Sequence, residues 1–227
     1  LSLRYAVQEH PSGIAEAFLI GGDFIGDSPV ALALGDNIFY GQGLPALLRR
    51  CAQLTIGAIV MAHAVADPQR YGVVEFDARG LPRAIIEKPS TPPSPYAVTG
   101  LYFYDAAVRD IARGLKPSRR GELEITDVNN VYLFQSRLQV ERLGRGFAWL
   151  DTGTPESLLR AAEFIEALET RQGFRIAVPE EIAWRLGYID TSQLLRLAHA
   201  LRNSSYGAYL AGLLSEKATM RDLAAAS

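Results

Sequence analysis

The sequence has little cysteine, no clustered histidine, no excess of one charge and no long apolar run. Its one cysteine, Cys51, cannot form a disulfide within the chain, and its three histidines do not have zinc-site spacing. The 23 basic and 25 acidic side chains give a net charge of −2, which indicates no basic face for nucleic acid. No run is long enough to span a membrane, and no charged-then-apolar leader opens the chain. We therefore expect a cytoplasmic protein with no nucleic-acid or membrane partner.

The composition is that of a globular protein with a sizeable core. Hydrophobic residues make up 48% of the 227 residues and charged residues 21%. Short apolar runs alternate with segments of helical periodicity as far as Asp151, and mostly helices follow. This pattern predicts an α/β fold with a central mixed, mostly parallel sheet flanked by helices. We predict an α/β core at 1–153, a helical extension packed on it at 154–215, and a flexible tail at 216–227.

The first seven residues, LSLRYAV, alternate between apolar and other residues in the manner of a strand. The printed sequence opens on this segment, and Leu1 rather than methionine is its first residue. The pattern predicts that the chain begins inside a sheet, as a fragment or a trimmed product of a longer protein would.

Two carboxylates follow predicted strands. Asp36 comes after the buried run Val30 to Leu34, and Asp151 comes after the strand that ends at Leu150. Ligands of open α/β sheets bind outside the carboxyl ends of strands, and Mg²⁺ prefers carboxylate oxygens. Aspartate is also common in turns, and a turn explains either residue alone. Taken together with the other candidate residues, the pair favours a magnesium site.

A second candidate is the stretch Glu87-Lys88-Pro89, at the end of another predicted strand. Because a proline disfavours helical conformation in the residue before it, we expect Lys88 to be extended. Neighbouring side chains of an extended segment point to opposite sides, so Glu87 could accept sugar hydroxyls while Lys88 meets a phosphate. A solvated charge pair is the alternative, and the stretch alone does not exclude it.

Weaker signals come from glycines and from one arginine. Gln8 precedes a glycine turn at Gly13, where a helix begins, and an amide there could contact a base edge. The dipeptide at Tyr71 and Gly72 permits close approach of a ligand to the backbone, and Arg120 could reach an anion before the next helix. Ordinary packing remains the default interpretation of each.

Long motifs in a fixed order cover nearly the whole chain as far as Leu214. They occupy residues 8–17, 34–41, 67–76, 87–89, 96–105, 120–127 and 144–154. In these motifs the chain resembles the sugar-phosphate nucleotidyltransferases, and among them most closely those that transfer a thymidylyl group to glucose 1-phosphate. The glycine-rich signature of that family, with its catalytic arginine and a nearby lysine, has no counterpart here. The resemblance therefore implies a Rossmann-like nucleotidyltransferase fold that lacks its N-terminal strand, loop and helix, and activity of this chain by itself is an open question.

The resemblance also implies a reaction, in which dTTP and α-D-glucose 1-phosphate give dTDP-glucose and diphosphate for dTDP-rhamnose synthesis. It implies Mg²⁺ as the cofactor, and it implies a role for each matching residue. By this resemblance Asp36 and Asp151 hold Mg²⁺, and Lys88 holds the sugar phosphate. The glucose is held by Glu87, Gly72 and the backbone at Val98, and the sugar-phosphate side is lined by Arg120 and Trp149. Gln8 and Gly13 contact thymine, and Tyr71 belongs to the substrate-binding set.

A homotetramer with a second nucleotide site is a further implication of the resemblance. That site would bind dTDP-rhamnose as a feedback ligand, and the matching positions are Gly41, Glu181, Ile182 and Arg185. The chain departs from the family here, because Gln42 follows Gly41 where relatives often carry histidine.

Three alternatives stay open from the sequence. A related transferase could use UTP or another sugar phosphate, since Gln8 alone does not decide the base. A non-catalytic nucleotide-sugar-binding protein of the same fold would explain the missing signature, although Asp36, Lys88 and Asp151 argue against it. A metal-dependent glycosyltransferase predicts acidic residues one apart, which Asp36-Asn37-Ile38 does not supply.

Overall fold

The structure is a computed structural model that describes residues 2–214. The described residues form two compact units, residues 2–157 and residues 158–214. The strands in the described residues are β1 (Val30–Ala33), β2 (Asn37–Gly41), β3 (Ala58–Ala64), β4 (Gly72–Phe76), β5 (Pro82–Glu87), β6 (Tyr96–Tyr104), β7 (Leu138–Leu143) and β8 (Phe147–Asp151). The helices are α1 (Ala17–Ile20), α2 (Gly22–Ile25), α3 (Leu44–Cys51), α4 (Val108–Gly114), α5 (Ile125–Phe134), α6 (Pro155–Gln172), α7 (Pro179–Arg185), α8 (Thr191–Ala200) and α9 (residues 205–214), with 3-10 turns at Ile14–Glu16 and Pro68–Arg70.

The main sheet has the strand order β5-β4-β6-β3-β7, with β1 also paired to β6. The predicted mixed α/β architecture is confirmed, but the prediction that the sheet is mostly parallel is wrong for the described strands. Only β3 and β7 run parallel, while β1–β6, β3–β6, β4–β5 and β4–β6 are antiparallel. For β4 and β5 the reason is the length of the connection. A short turn joins β4 to β5, and such a turn permits only antiparallel pairing, whereas a parallel pair needs a long crossover.

The two faces of the sheet pack against different layers, as the alternation along β3 shows. Ala58, Val60 and Ala62 join the larger core cluster, which includes residues of α4 and α5. The intervening Ile59 and Met61 join a second cluster with α3, β6 and β7. Successive strand residues point to opposite faces, so a strand buried on both sides reads as one continuous apolar run.

Strands β2 and β8 form a separate two-stranded antiparallel ribbon. Phe39 of β2 and Phe147 of β8 pack against the second core cluster, on the α3 side of the main sheet. The ribbon is therefore anchored by its aromatic residues. Asp36 and Asp151 lie together at one end of it.

The predicted first strand is not formed in residues 2–7, which are exposed and have no strand partner among the described residues. An alternating sequence forms a strand only where a neighbouring strand accepts its backbone hydrogen bonds.

The second unit is helical, and its core contains Val178, Leu194, Ala198, Leu210 and Leu213. Asp190 begins α8 with a capping box, because its side chain accepts from the amide of Gln193 while the Gln193 side chain caps the Asp190 amide. The predicted domain boundaries and the packing of the extension stay predictions, and the predicted tail at 216–227 lies outside the described residues. No helix in the described part of the chain is long and apolar enough to cross a membrane.

Candidate active site

The β2–β8 ribbon brings Asp36 and Asp151 together. Asp36 immediately precedes β2 and Asp151 is the last residue of β8, where it lies opposite Asn37. The amide and the hydroxyl of Thr152 both donate to the Asp36 carbonyl, each at 2.8 Å, and tie the two segments. A Cβ at Gly153 would lie 3.1 Å from Asp151 Oδ1 and 3.5 Å from Asp36 Oδ2, so both carboxylates face the same small space.

Asn37 makes three hydrogen bonds through its side-chain amide. Its Nδ2 donates to Asp36 Oδ1 at 2.8 Å. Its Oδ1 accepts from the Gly100 amide at 3.0 Å and from Trp149 Nε1 at 2.6 Å. One side chain therefore links a site carboxylate, the centre of β6 and an indole of β8.

Asp151 has two partners that come from the segment before β4. The Tyr71 hydroxyl donates to Asp151 Oδ2 at 3.2 Å, and the Arg70 guanidinium lies 3.6 Å from the same oxygen. Burial raises the pKa of Tyr71 to about 12, with the Asp151 charge adding to the effect, so the hydroxyl is a donor at neutral pH. The Tyr71 ring also packs on the Trp149 ring, with centroids 4.9 Å apart.

Glu87, the last residue of β5, also lines the site. Its Oε2 accepts from the Thr126 hydroxyl at 2.6 Å, and its Oε1 lies 3.5 Å from Arg120. Gly72 is required beside this pair, since a Cβ there would lie 2.9 Å from Thr126 Oγ1 and 3.3 Å from Glu87 Oε2. The absence of a side chain at Gly72 is thus what lets Glu87 and Thr126 meet.

Lys88 is not extended, and that prediction is wrong. Its φ angle is 43°, in the left-handed region that residues other than glycine rarely adopt. The rule for residues before proline disfavours the right-handed helical region but does not by itself require an extended chain. Here the Lys88 amide donates to the Tyr71 carbonyl at 2.9 Å, which holds this conformation in a residue that lines the site. Strained backbone of this kind clusters at functional sites.

Arg120 is held by carboxylates rather than left free for an anion. Its guanidinium donates to Glu124 from Nε at 3.1 Å and from Nη2 at 2.7 Å, and it lies 3.2 Å from Glu122. Burial alone would raise the pKa of Glu124. The hydrogen bonds from Arg120 and Ser118, with the charges of Arg120 and Lys88, outweigh burial and leave that pKa below its ordinary value.

These groups line one cavity of about 300 Å³, which is within the range of small-molecule sites. Nine of the eleven residues predicted to act in catalysis or substrate binding line it, and they are Asp36, Tyr71, Gly72, Glu87, Lys88, Val98, Arg120, Trp149 and Asp151. Their placement in one cavity is established, while the role of each stays a prediction.

Gln8 and Gly13 do not line this cavity. The exposed Gln8 amide donates to the Gly13 carbonyl at 3.0 Å and to Glu16 at 2.6 Å. Gly13 has a φ of 102°, and a Cβ there would lie 2.4 Å from the Leu123 carbonyl oxygen. Gly13 is therefore explained by backbone packing that supports the segment of Glu122 and Glu124.

The sequence interpretation missed several lining residues, including Arg70, Asn37, Thr126 and Glu124. Arg70 and Asn37 are each adjacent to a predicted residue, whereas Glu124 and Thr126 follow Arg120 by four and six residues, at the start of α5. An i, i+4 acid–base pair of this kind is a readable signal. The hydrogen bonds of Asn37 and Thr126 depend on partners far away in the chain and left no local pattern.

The four residues assigned to a regulatory site are divided between the two units, and that assignment stays a prediction. Gly41 ends β2, where a Cβ would lie 2.5 Å from the ring of Phe147, so packing accounts for this glycine. In α7, Glu181 accepts from Arg185 Nε at 2.7 Å and from the Tyr209 hydroxyl at 2.5 Å, and Ile182 is about half exposed.

The residues of the site fit a magnesium ion that a phosphate ligand shares. Among residues 2–214 no group of three or more His, Cys, Asp or Glu side chains is placed to hold a metal, so the protein would supply the two carboxylates of Asp36 and Asp151. Mg²⁺ typically takes one or two protein carboxylates and completes its shell with water and substrate phosphates. Charge supports this fit. The cavity is lined by five carboxylates and three cations, which are Asp36, Glu87, Glu122, Glu124, Asp151, Arg70, Lys88 and Arg120. A divalent cation offsets the repulsion that this excess exerts on phosphate.

An α/β fold whose cavity gathers carboxylates beside cationic side chains is suited to binding a phosphate ester together with a divalent cation, and comparison with known families agrees with that chemistry. The sequence model of the family described as nucleotidyl transferase matches residues 1–167. The chain belongs to the nucleotidyl transferase family.

Curated relatives give a finer resemblance. A protein of Mycobacterium tuberculosis named glucose-1-phosphate thymidylyltransferase is 58% identical over 214 residues, which cover 94% of this chain and 74% of the relative. Proteins of the same name from Mycolicibacterium smegmatis and Xanthomonas campestris are 57% and 55% identical, over 96% and 94% of this chain and 75% and 72% of theirs.

Solved structures agree on the fold. A Bacillus anthracis protein named as a glucose-1-phosphate thymidylyltransferase, solved with sucrose, is 42% identical with a TM-score of 0.63. The match covers 72% of this chain and 65% of that one, so this chain spans just under two thirds of that protein. A UDP-glucose pyrophosphorylase solved with UDP-glucose shows the same fold, with a TM-score of 0.61. It is 24% identical, and the match covers 71% of this chain and 65% of that one.

Proposed function

We propose that this chain is a glucose-1-phosphate thymidylyltransferase, which converts dTTP and α-D-glucose 1-phosphate into dTDP-glucose and diphosphate. The observation that carries the proposal is that one cavity gathers the neighbouring carboxylates of Asp36 and Asp151 together with Glu87 and Lys88. The names of the relatives with 50–58% identity supply the substrates.

In this proposal the sugar phosphate is bound beside Glu87 and Lys88. Glu87 is a fixed acceptor for sugar hydroxyls, because Thr126 and Arg120 already hold its orientation. Lys88 pairs with the phosphate as a point charge, while Arg120 lines this part of the site with its guanidinium engaged by Glu122 and Glu124. Gly72 and the backbone at Val98 allow the sugar ring to approach the chain closely. The Trp149 ring forms a wall, because its Nε1 already donates to Asn37.

The transfer forms one bond and breaks another at the same phosphorus atom. A phosphate oxygen of glucose 1-phosphate attacks the α-phosphorus of dTTP, and the bond from that phosphorus to the bridging oxygen of diphosphate breaks. No proton needs to leave the attacking phosphate oxygen. The residues therefore contribute by holding the two anions in line and by offsetting their charge.

Mg²⁺ is the proposed cofactor, held by Asp36 and Asp151. When bound, it neutralises charge on the nucleotide phosphates. Tyr71 and Arg70 fix the Asp151 carboxylate, and Asn37 fixes the Asp36 carboxylate. Gln8 and Gly13 lie outside the cavity described above, and a contact of theirs with the thymine end is proposed from the family resemblance alone.

The family resemblance alone supports the remaining parts of the proposal. These are a cytoplasmic homotetramer that supplies dTDP-rhamnose synthesis, with dTDP-rhamnose as a feedback ligand at Gly41, Glu181, Ile182 and Arg185.

The test is a calorimetric panel on the 227-residue protein in the presence of Mg²⁺. The ligands are glucose 1-phosphate, dTDP-glucose and UDP-glucose, and diphosphate release from dTTP plus glucose 1-phosphate is measured in parallel. We expect dTDP-glucose to bind more tightly than UDP-glucose, and any diphosphate release to require both substrates. Folded protein that binds neither glucose 1-phosphate nor dTDP-glucose would reject the proposal, and tighter binding of UDP-glucose would transfer it to a uridylyltransferase.

A further inference from the structure

We infer that Asn37 is a positioning residue whose amide selects the Asp36 oxygen offered to a metal and couples that carboxylate to Trp149. The inference rests on the proposed function, because it takes Asp36 to be a ligand of Mg²⁺.

The orientation of the Asn37 amide is fixed by its partners. Its oxygen receives two N–H donors, from Gly100 at 3.0 Å and from Trp149 at 2.6 Å. A flipped amide would place its own NH₂ group against both of these N–H donors, and two donors cannot form a hydrogen bond with each other. The Nδ2 atom therefore points to Asp36 in every arrangement that satisfies the network.

This orientation decides which Asp36 oxygen is available. Asn37 Nδ2 donates to Oδ1 at 2.8 Å, whereas Oδ2 is the oxygen that faces Gly153 and the Asp151 carboxylate. An amide donor on one oxygen leaves the lone pairs of the other for a cation. Groups that orient a ligating carboxylate in this manner tune metal affinity.

The backbone around the amide is built to admit it. A Cβ at Gly100 would lie 2.6 Å from the Asn37 Oδ1 and Cγ atoms and 2.8 Å from its Nδ2. Gly100 has no positive φ that would call for glycine, so the close approach of Asn37 is the reason for glycine at this position in β6.

The contacts of Asn37 continue to the second carboxylate. Trp149 Nε1 donates to the amide oxygen of Asn37, and the Trp149 ring packs on the Tyr71 ring. The Tyr71 hydroxyl in turn donates to Asp151. Asp36 and Asp151 are thus joined by a continuous chain of contacts through Asn37, Trp149 and Tyr71. A cation bound between the carboxylates is expected to perturb the indole through this chain of contacts.

The test uses Trp149 fluorescence, because the chain has only two tryptophans. In a Trp184→Phe background, the protein is titrated with Mg²⁺ alone, and emission is recorded with no substrate present. We expect a saturable change in emission that Asp36→Asn abolishes. Asn37→Ala should change the emission of the metal-free protein and weaken Mg²⁺ binding by about 10-fold or more.

The matched control is Asn130→Ala. Asn130 also bridges two elements with its amide, through bonds of 2.8 and 3.0 Å to the backbone of Ile85. A general loss of stability would affect both asparagine variants, whereas only Asn37→Ala should alter the Trp149 emission and its Mg²⁺ dependence.

If Asn37→Ala does not fold, Asn37→Asp decides the matter, since it keeps the acceptor for Trp149 and replaces the donor to Asp36 by an oxygen. A bound cation offsets the repulsion between the two carboxylates, so at neutral pH Mg²⁺ should raise the melting temperature of Asn37→Asp by more than that of the parent. Equal shifts would overturn the inference, and so would a folded Asn37→Ala protein with the emission and Mg²⁺ affinity of the parent. A Mg²⁺ response that survives Asp36→Asn would instead remove the metal assignment on which the proposed function depends.

Discussion

Asp151 lies directly opposite Asn37 in the β2–β8 ribbon, so a site carboxylate faces the amide that holds the other carboxylate, Asp36. The register of one short ribbon thus sets the spacing of both carboxylates. Because side chains alternate between faces, a slip of one residue would turn Asp151 away from the site. The aromatic anchors Phe39 and Phe147 hold the register against the core.

Lys88→Gly separates backbone strain from charge at the site. A left-handed φ costs a residue other than glycine roughly 1–2 kcal/mol, and the greater freedom of unfolded glycine offsets about half of that gain. We expect the free energy of unfolding to be unchanged or higher by up to about 1 kcal/mol, while glucose 1-phosphate binding is lost. Chemical denaturation and calorimetry measure the two effects. A variant that is clearly less stable than the parent would contradict the argument from strain, and Lys88→Arg is the control that keeps the charge.

Glu87→Gln tests recognition of the sugar rather than of its phosphate. Hydrogen bonds to a charged group contribute about 1.5–3 kcal/mol, so affinity for glucose 1-phosphate should fall by roughly 10- to 100-fold. Binding of inorganic phosphate should not weaken. Glu75→Gln, which breaks only a surface pair with Arg83, is the matched control. Equal losses for both ligands would contradict a specific role of Glu87 in recognition of the sugar.

Gly100→Ala should reproduce the effects of Asn37→Ala without altering the amide itself. Forcing a methyl group into a packed contact of 2.6 Å costs about 1–3 kcal/mol and displaces Asn37. Trp149 emission and Mg²⁺ affinity should change together with the stability. Gly114→Ala is the control, since nothing lies within 4 Å of a Cβ there. A stable Gly100→Ala protein with the parent's emission would show that the glycine does not serve Asn37.

Glu124 predicts a pH dependence of stability. The pKa of Glu124 in the folded protein is below its ordinary value. Its pairing with Arg120 therefore stabilises the fold in full at any pH above that ordinary value, and this contribution is lost as the pH falls through the folded-state pKa. Glu124→Gln should therefore be less stable than the parent by about 1–3 kcal/mol at pH 7, and the difference should shrink under acid conditions. Denaturation curves from neutral to acid pH measure it, with the more exposed Glu122→Gln as the control. A difference that grows on acidification would contradict the assigned shift.

The sequence located most of the site because the strand-end residues carry local signals. Asp36, Glu87 and Asp151 each follow a recognisable apolar run, and the α/β class follows from the alternation of strands and helices. The direction of the sheet could not be read in this manner, since β6 pairs with β1, β3 and β4, and no local pattern states which strands are neighbours.

Two further misses have specific causes. Strand β2 begins one residue after Asp36 and pairs with β8 more than a hundred residues later, so its role in joining the carboxylates depends on tertiary pairing. The left-handed Lys88 depends on a hydrogen bond to Tyr71, which the rule for residues before proline does not include. In both cases a distant partner decided the local structure.

The most direct test of the proposed function is the affinity of the 227-residue protein for dTDP-glucose, measured by calorimetry with and without Mg²⁺. The parent should bind more tightly with Mg²⁺, and Asp36→Asn should keep its fold by circular dichroism but lose the Mg²⁺ dependence. Asp110→Asn, which breaks only an exposed pair with Arg113, should behave as the parent. Binding to the parent that is indifferent to Mg²⁺, or a Mg²⁺ dependence that survives in Asp36→Asn, would contradict the proposed metal site.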